Sequence, residues 1–423
     1  MTVPIHANEH PFTTEKDISS AAFWRQTFRE RDRTFAWLRV NAPVSWHPPL
    51  RDERTPDPFG ERGFWAVTRS ADIRDVSMDN TTYSSALGGT SFRPMERGGG
   101  FDGSFLYMDP PDHTRFRKIF SGAFTPKAVS RLQDQIRDRA QRIVERVIGA
   151  GDIDFVTEVA AKLPMMTVAD LIGIPESQVE AFALAGDNIV SMGHSDVVPD
   201  GTSPEEFAMQ QITTLVGLGL ELIEHRRAHP ADDLATALAE TRFDGRPLTV
   251  EEIASVMMLL SVAGNDTTKQ TTSWTALALA RHPDQKAWLT EDLDGRIDPA
   301  IEEFVRYSSP VIEFARTATS DTELAGQKIS AGDKVVLFYC SGNRDESVFE
   351  DPYAFDLQRP PTRHVGFGGG GIHFCLGNHI AKAQLRALYT EILTKLPGLE
   401  VTGEPEYLAS EFINGIRHLP VRV

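Results

Sequence analysis

Cys375 closes a loop that is unusually rich in glycine. The loop covers residues 366–377 and reads Gly-Phe-Gly-Gly-Gly-Gly-Ile-His-Phe-Cys-Leu-Gly. Because glycine has no Cβ, such a loop can turn tightly and lets a large flat ligand approach the backbone. A helical pattern begins directly after the cysteine, and the positive end of a helix dipole favours a thiolate over a thiol. A rigidly held thiolate beside open backbone is what an iron-porphyrin ligand requires.

Two other interpretations of this loop remain open on the residues alone. Glycines before a helix can cradle a phosphate, but the loop has neither a G-x-G-x-x-G sequence nor a Walker-type Lys-Ser/Thr pair. It also lacks a convincing strand-loop-helix unit followed by an acidic residue about 20 positions on. A free cysteine can instead be a small buried hydrophobe. Glycines on both sides of Cys375 argue against simple packing, although spacing alone leaves that alternative open.

A second chemical signature lies inside a long apolar helix, which the pattern predicts over residues 249–281. The helix opens with a capping box, Thr249 to Glu252, and stops at Pro283. At 1.5 Å per residue it is about 50 Å long, enough to cross the molecule. Its centre, residues 263–268, reads Ala-Gly-Asn-Asp-Thr-Thr, and most of these residue types weaken a helix interior. The cluster indicates either a tolerated polar kink or a groove for dioxygen, with a carboxylate and a hydroxyl that deliver protons.

A Glu-x-x-Arg pair, Glu303 and Arg306, lies between these two signatures. It falls on a helix predicted over residues 298–307, with Asp298 as the cap and Pro299 as the first residue. The two side chains meet on one helix face, and such pairs contribute only a few tenths of a kcal/mol on an exposed helix. Alone, the pair is therefore a weak signal.

Composition and charge limit the classes of protein to which the chain can belong. Its 423 residues are 41% hydrophobic and 24% charged, and the two cysteines, Cys340 and Cys375, rule out a disulfide scaffold and suit a reducing compartment. Residues 1–17 hold no apolar signal core, and no run approaches about 18 apolar residues, so we expect a soluble, cytoplasmic protein without a membrane span. The net charge of −17 argues against non-specific nucleic-acid binding.

Helical periodicity dominates the rest of the chain, which predicts a mainly α protein with small β-sheets (α+β). Helices are predicted over residues 20–40, 127–149, 204–228, 249–281, 298–307 and 376–396, and strands over residues 44–46, 64–68 and 334–340. Neither of the two loop-rich breaks, residues 88–103 and 193–203, resembles a domain boundary. We therefore expect a single domain over residues 1–423.

Taken together, the three motifs resemble those of the cytochrome P450 family, the haem-thiolate monooxygenases, over much of the C-terminal half. The family's haem loop usually reads Phe-Gly-x-Gly-x-His-x-Cys-x-Gly, and Phe367 stands one residue further from Cys375 because a glycine is added. The resemblance implies the cytochrome P450 fold, with haem b between the long central helix and the helix after the cysteine, and Cys375 as the iron ligand. Asp266 and Thr267 match the acid-alcohol pair of the oxygen-activation sequence. The Glu-x-x-Arg pair matches a structural element that ties its helix to the segment before the haem loop.

The same resemblance implies which residues hold the haem. Its two propionates need cationic or hydrogen-bonding partners if they are enclosed. The candidates are His113, Arg117, Arg316 and His373, together with two residues of the cysteine loop, Phe367 and Gly377. Taken singly, each arginine could be an ordinary surface residue and each histidine an ordinary core residue.

The longer glycine loop resembles one actinobacterial group of the family. Its members hydroxylate the ends of methyl-branched lipids, isoprenoids and sterol side chains, which implies a lipophilic substrate. The residues expected in the pocket are mostly apolar, as a hydrocarbon-binding cavity requires: Phe92, Phe105, Met192, Met258, Val262, Ala263, Val311, Ile312, Phe314, Phe412 and Ile413.

The resemblance also implies O2 as a substrate and a ferredoxin with its reductase as electron donors, supplied by NAD(P)H. Basic residues cluster at two places in the chain: Arg115, Arg117, Lys118, Lys127 and Arg131, and then Lys382 and Arg386. They would gather on the cysteine side and steer an acidic donor, although a solvated helix face is the alternative. Two rival functions remain: a peroxide-driven peroxygenase, which would not need Asp266 and Thr267, and a haem-binding sensor without turnover.

Overall fold

Helices make up most of the computed structural model, which describes residues 10–13, 15–51, 60–94, 104–191, 197–361 and 363–423. In this part of the chain the α-helices are α1 (Ala21–Trp24), α2 (Phe28–Asn41), α3 (Ser70–Met78), α4 (Asp112–Ser121), α5 (Pro126–Val147), α6 (Lys162–Ile172), α7 (Val179–Ser191), α8 (Pro204–Ala228), α9 (Leu234–Glu240), α10 (Val250–Arg281), α11 (Pro283–Glu291), α12 (Leu293–Ser308), α13 (Tyr339–Gly342) and α14 (Asn378–Lys395). The strands are β1 (Val44–His47), β2 (Phe64–Val67), β3 (Tyr83–Ser84), β4 (Asp152–Asp154), β5 (Arg242–Phe243), β6 (Arg246–Pro247), β7 (Glu313–Ala318), β8 (Thr322–Leu324), β9 (Gln327–Ile329), β10 (Lys334–Phe338), β11 (Glu400–Val401), β12 (Glu406–Tyr407), β13 (Ile416–His418) and β14 (Pro420–Arg422).

The largest sheet of the described chain has five strands in the order β1-β2-β10-β7-β3. Only β2 and β10 are parallel neighbours. Side chains alternate between the two faces of a strand, so Phe314 and Arg316 of β7 share one face, while Glu313 and Ala315 share the other. Arg316 and Glu313 therefore lie on opposite faces of β7.

The long helix α10 passes between two hydrophobic cores. Its first half, around Ile253 and Met257, packs in a core with α6, α7 and α8, and its second half, around Ala276, packs in a core with α12 and α14. The capping box is confirmed, since Thr249 N–H donates to the Glu252 carboxylate at 2.8 Å and Glu252 N–H donates to Thr249 Oγ1 at 3.2 Å. The polar sequence therefore lies where the helix passes from one core to the other.

The helix of the Glu-x-x-Arg pair begins earlier than predicted. Asp292, and not Asp298, is its cap, because Asp292 Oδ1 accepts from the Gly295 N–H at 3.2 Å. Pro299 lies inside α12, where it removes one intrahelical hydrogen bond. Burial of the neighbouring Ile301 in the core holds this turn in place in spite of that loss.

Two other predicted elements differ at their ends. The predicted helix over residues 20–40 is two helices, because Thr27 forms a capping box at the start of α2. The predicted strand over residues 334–340 ends at Phe338, and the chain turns into α13. In α13, Ser341 Oγ donates to the Thr68 carbonyl at 2.8 Å, which ties this turn to the end of β2.

The Glu-x-x-Arg pair has the structural role that was predicted for it. Glu303 and Arg306 form a buried ion pair with a closest N–O distance of 2.6 Å. The guanidinium of Arg306 also donates to the carbonyls of Asn343, Pro352 and Ala354 at 2.8–2.9 Å. These bonds tie α12 to the segment that leads into the cysteine loop.

Candidate functional site

The glycine loop adopts backbone conformations that other residues would resist. Gly368, Gly370 and Gly371 have φ angles of 96°, 106° and 70°. A Cβ at Gly371 would overlap the carbonyl of Ser77, at the end of α3. The run of glycines is therefore needed both for the turn and for its close packing on α3.

Cys375 is held by backbone and side-chain hydrogen bonds at the start of α14. Its N–H donates to the Phe367 carbonyl at 3.0 Å, and its carbonyl accepts from Asn378 Nδ2 at 2.9 Å. Burial raises the pKa of the Cys375 thiol, whereas the backbone N–H groups of Gly377 and Asn378 and the guanidinium of Arg117 lower it. Two N–H donors and a nearby cation are the kinds of group that stabilise a thiolate, the form in which cysteine binds a metal.

Four residues that were predicted to hold haem propionates converge beside this loop. The rings of His113 and His373 have centroids 4.4 Å apart. Arg117, one turn after His113 on α4, donates to the Phe374 carbonyl at 2.5 Å. Arg316 is 5% exposed. Burial, followed by Arg316, lowers the pKa of His373 to about 2, and burial, followed by Arg117 and then Arg316, lowers that of His113 to about 4. The cluster is thus a largely buried site whose positive charge comes from its two arginines.

The unsatisfied hydrogen-bonding capacity of this cluster fits the carboxylates of a haem. Within the described residues, neither ring nitrogen of His113 has a hydrogen-bond partner, although the side chain is buried. Asp109 is an acidic neighbour of both His113 and Arg316. Its carboxylate is already bonded to the side chain of Ser84 and to the Ser85 N–H. Buried polar groups normally have partners, and two carboxylates would supply them here.

Asp266, the predicted acid of α10, is part of an ion-pair network. Its Oδ1 lies 2.6 Å from Lys269 Nζ, which also lies 3.0 Å from Asp187 Oδ1 on α7. Asn265 Nδ2 donates to the same Asp187 oxygen at 2.7 Å. Burial alone lowers the pKa of Lys269, but the two carboxylates raise it above its ordinary value. The Asp266 side chain is 3% exposed and that of Asp187 is 32% exposed, so the network leads from a buried acid towards the surface.

The sequence-based prediction missed Lys269 and Asp187. Lys269 could have been noticed as a lysine one turn after Asp266 in an otherwise apolar helix, since such a lysine is rarely buried without a partner. Asp187 carried no signal, because only the packing of α7 on α10 brings it close.

Thr267 faces a different direction from its neighbour Asp266, because successive residues of a helix are about 100° apart. Its hydroxyl donates to the Ala263 carbonyl at 2.9 Å, as expected for a threonine inside a helix. Ala263 is exposed and Thr267 is partly exposed, and they lie one turn apart on the same face. This face, and not that of Asp266, borders open space.

The residues expected in the substrate pocket fall into two groups. Those with exposed or partly exposed side chains lie on α10, at the start of β7 and in the C-terminal turn: Val262, Ala263, Val311, Phe314 and Phe412. The rings of Phe314 and Phe412 meet edge to face with centroids 5.5 Å apart. The others are buried in the cores behind these elements: Phe92, Phe105, Met258, Ile312 and Ile413. Met192 lies outside the described residues.

Phe92 shows how a buried member contributes. Its ring packs among those of Trp24, Phe64 and Phe338, with centroids 4.7–5.9 Å away. This core covers the face of the large sheet that is opposite to Phe314. Phe92 therefore packs behind the sheet face that carries Phe314, on the far side from the predicted pocket.

The basic residues near the cysteine loop are partly neutralised by acids of the chain itself. Lys382 lies 5.1 Å from the centre of the Phe367 ring and pairs with Glu302 at 2.5 Å. Other pairs join Arg386 with Asp298 at 2.5 Å and Arg115 with Asp244. Lys118 and Lys127 are exposed, and the side chain of Arg131 lies outside the described residues. Among the described residues we find no helix whose length and hydrophobicity would let it span a lipid bilayer.

Comparisons with known proteins agree with this geometry. A family model described as Cytochrome P450 matches residues 220–397. A methyl-branched lipid omega-hydroxylase of Mycobacterium tuberculosis is 40% identical over 408 residues, which cover 96% of this chain and 94% of that protein. A steroid C26-monooxygenase of Mycobacterium bovis is 37% identical over 399 residues, which cover 92% of this chain and 88% of that protein. A solved structure of a Mycobacterium marinum cytochrome P450 in complex with pseudoionone has a TM-score of 0.94 at 45% identity and covers 98% of this chain and 100% of that chain.

Proposed function

This chain belongs to the cytochrome P450 family, and on that premise we propose that it hydroxylates the terminal carbon of a methyl-branched lipid or of a similar isoprenoid or sterol side chain. It is a haem-thiolate monooxygenase with a lipophilic substrate. The observation that carries the proposal is the convergence of His113, His373, Arg117 and Arg316 beside the loop of Cys375.

Cys375 would be the axial ligand of the iron in this proposal, and haem b the cofactor. The two cysteines of the sequence, Cys340 and Cys375, are too far apart in the chain for the paired cysteines of a covalently attached haem c. When bound, the haem supplies the activation of dioxygen, to which the thiolate contributes electron density. The positively charged cluster around His113 and Arg316 would hold the propionates.

Protons would enter through the network of α7 and α10. Asp187, about a third exposed, can exchange protons with water. Lys269 touches both carboxylates and can pass a proton to Asp266 while it regains one from the Asp187 side, so its own charge is kept. The hydroxyl of Thr267, on the adjacent helix face, would position the water or oxygen that receives the proton.

The substrate class is supported by the apolar surface and by the relatives. Phe314, Phe412 and Val311 face Val262 and Ala263 across the site in this proposal, and none of these side chains is polar. One relative is an omega-hydroxylase of methyl-branched lipids, another a C26-monooxygenase of steroids. A long branched hydrocarbon whose end enters the reaction centre is the kind of substrate that the names of both relatives describe.

An acidic ferredoxin, reduced by its reductase with NAD(P)H, is the proposed electron donor. The exposed Lys118 and Lys127 and the paired Lys382 lie on the elements that surround Cys375. A carboxylate of the donor could replace Glu302 as the partner of Lys382, and opposite charges would steer the encounter.

Two measurements test the proposed function. Reduction under carbon monoxide should give the strongly red-shifted Soret band of a thiolate-bound iron, and Cys375→His should remove that shift while haem remains bound. A ferredoxin-driven incubation with a methyl-branched fatty acid should then yield the ω-hydroxylated acid by mass spectrometry. Absence of the shifted band at full haem loading would refute the ligand, and turnover with hydrogen peroxide alone would favour the peroxygenase.

A further inference from the structure

Two distant segments of the chain lie side by side on β7. The Thr90 carbonyl accepts from the Ala315 N–H at 2.8 Å. Three residues earlier, just before β7 begins, the Ile312 N–H donates to the Phe412 carbonyl, also at 2.8 Å. The segment that begins at Thr90 and the C-terminal turn that carries Phe412 are thus joined to one strand.

A mostly buried ion pair joins these two segments directly. Nε and one terminal nitrogen of Arg93 both lie 2.8 Å from Oε1 of Glu411. The side chains are only 17% and 12% exposed. Two N–H groups on one oxygen fix the direction of the contact as well as its length, so Glu411 cannot turn without moving Arg93.

Other groups hold the same turn from behind the pair, and one of them, Arg31, is a second cation near Glu411. Arg31 donates to the Ser410 carbonyl at 3.0 Å, next to Glu411. Glu313 is fully buried, its pKa is raised well above its usual range by burial and by Glu411, and the Phe92 N–H donates to it. Arg316 and Lys334 act on Glu313 in the opposite direction. The negative charge of Glu411 thus faces two cations, Arg93 in the ion pair and Arg31 behind the turn.

The C-terminal turn that Glu411 holds also carries Phe412, whose ring borders the proposed reaction centre. Phe412 is adjacent to Glu411, and its ring packs edge to face on Phe314. Phe314 stands two residues before Arg316 on the same face of β7, which is about 7 Å along a strand. On its other side the turn is bonded to α10, where Trp274 Nε1 donates to the Asn414 carbonyl at 2.9 Å. A shift of the turn must therefore move the Phe412 ring relative to the oxygen-binding face of α10.

We propose that the Arg93–Glu411 pair is a specificity clasp, which holds Phe412 against Phe314 and so admits only the narrow end of a branched chain to the reaction centre. The choice of a terminal carbon rests on the proposed function. Neither Arg93 nor Glu411 need touch the substrate, and both act as positioning residues through Phe412.

The test compares Glu411→Gln and Arg93→Gln with a matched control, Glu406→Gln, in the haem-loaded protein. Glu406 pairs with Arg417 at 3.3 Å in the same C-terminal region, but its side chain is 55% exposed. Amide hydrogen exchange at residues 90–94 and 410–414 should become about tenfold faster or more in the two clasp variants, with residues 366–377 unchanged. 4-Phenylimidazole, a rigid iron ligand, should bind more tightly when Phe412 is released. The control should change neither reading.

With a methyl-branched fatty acid, the ratio of terminal to subterminal hydroxylation should fall about fivefold or more in the clasp variants, since a looser Phe412 admits internal carbons. Unchanged hydrogen exchange and azole affinity in both variants would overturn the clasp. If the wild-type protein oxidises no such lipid, the proposed substrate fails, while exchange and azole binding still decide whether the clasp exists. If the glutamine variants lose haem, the same measurements are made on Arg93→Lys. This variant keeps the positive charge but cannot place two N–H groups on Glu411.

Discussion

The carboxylate of Asp266 lies 2.6 Å from the ammonium group of Lys269, one turn further along α10. Lys269 reaches Asp187 on α7 at the same time, at 3.0 Å. The acid next to the predicted oxygen-binding face is therefore bound to a cation that also contacts a second helix. Any movement of α7 changes the partner of Lys269, and with it the charge that Asp266 experiences.

Asp187→Asn should slow turnover by about tenfold to a hundredfold, because the amide keeps the hydrogen bond but cannot exchange a proton. The solvent deuterium isotope effect on turnover should rise in the variant, and this is the measurement that separates a proton role from a structural one. Glu180→Gln, an exposed change on the same helix, is the control. An unchanged isotope effect in Asp187→Asn would exclude the route through α7.

Thr267→Ala should keep oxygen consumption but lower the yield of product, since the hydroxyl on the exposed helix face no longer positions the proton acceptor. We expect product per NAD(P)H to fall by about fivefold or more, with the remaining electrons recovered as hydrogen peroxide and water. Thr267→Ser keeps the hydroxyl and should restore most of the coupling. Full coupling in the alanine variant would show that Thr267 has no such role.

Arg316→Leu should weaken haem retention, because it removes a buried cation from the cluster that fits the propionates. Loss of one partner of a buried charge pair costs about 3–5 kcal/mol, which should appear as faster transfer of haem to apomyoglobin. Arg422→Leu, an exposed arginine paired with Asp152, should leave the transfer rate unaltered. Equal rates for the two variants would remove Arg316 from the cofactor site.

Glu303→Gln should destabilise the whole fold by about 3–5 kcal/mol, since Arg306 is left charged in a site that is 2% exposed. Chemical denaturation of the haem-loaded protein measures the free energy of unfolding. The adjacent Glu302→Gln, at a side chain that is 41% exposed, should cost about 1 kcal/mol or less. Similar losses in both variants would contradict the assigned structural role.

His47 should make the protein less stable as the pH falls. Its side chain is fully buried, and burial lowers its pKa to about 4, against about 6.5 for an unfolded histidine. Because the unfolded chain binds the proton more tightly, the contribution is complete above pH of about 6.5 and is lost towards pH 4, on the order of 3 kcal/mol in all.

The measurement is the difference in unfolding free energy between the wild type and His47→Gln at several pH values. That difference should shrink as the pH falls through the window. His229→Gln, at an exposed histidine, should give a difference that does not change with pH. A pH-independent difference for His47→Gln would show that the residue is not buried neutral.

Most of the features that could be predicted from the sequence depend on local residue patterns. The cap of α10 and the turn of the cysteine loop depend on residues a few positions apart, so spacing and residue type were enough to predict them. The cap of α12 was missed, because packing of Ile301 in the core outweighs the usual place of Pro299 at a helix start. The strand end at Phe338 was missed because Ser341 bonds to Thr68, far away in the chain.

The amino-acid sequence by itself determined the chemistry: a thiol in a loop that only glycine can form, and an acid and an alcohol within one helix turn. Tertiary structure alone decided which charges meet. Lys269 pairs with Asp187, and Arg93 pairs with Glu411, which is 318 positions away in the chain. A buried charge without a partner is costly, so packing that buries these side chains must also bring their partners close. Such pairs leave no periodic trace along the chain, since their geometry is set by the packing of whole helices and strands.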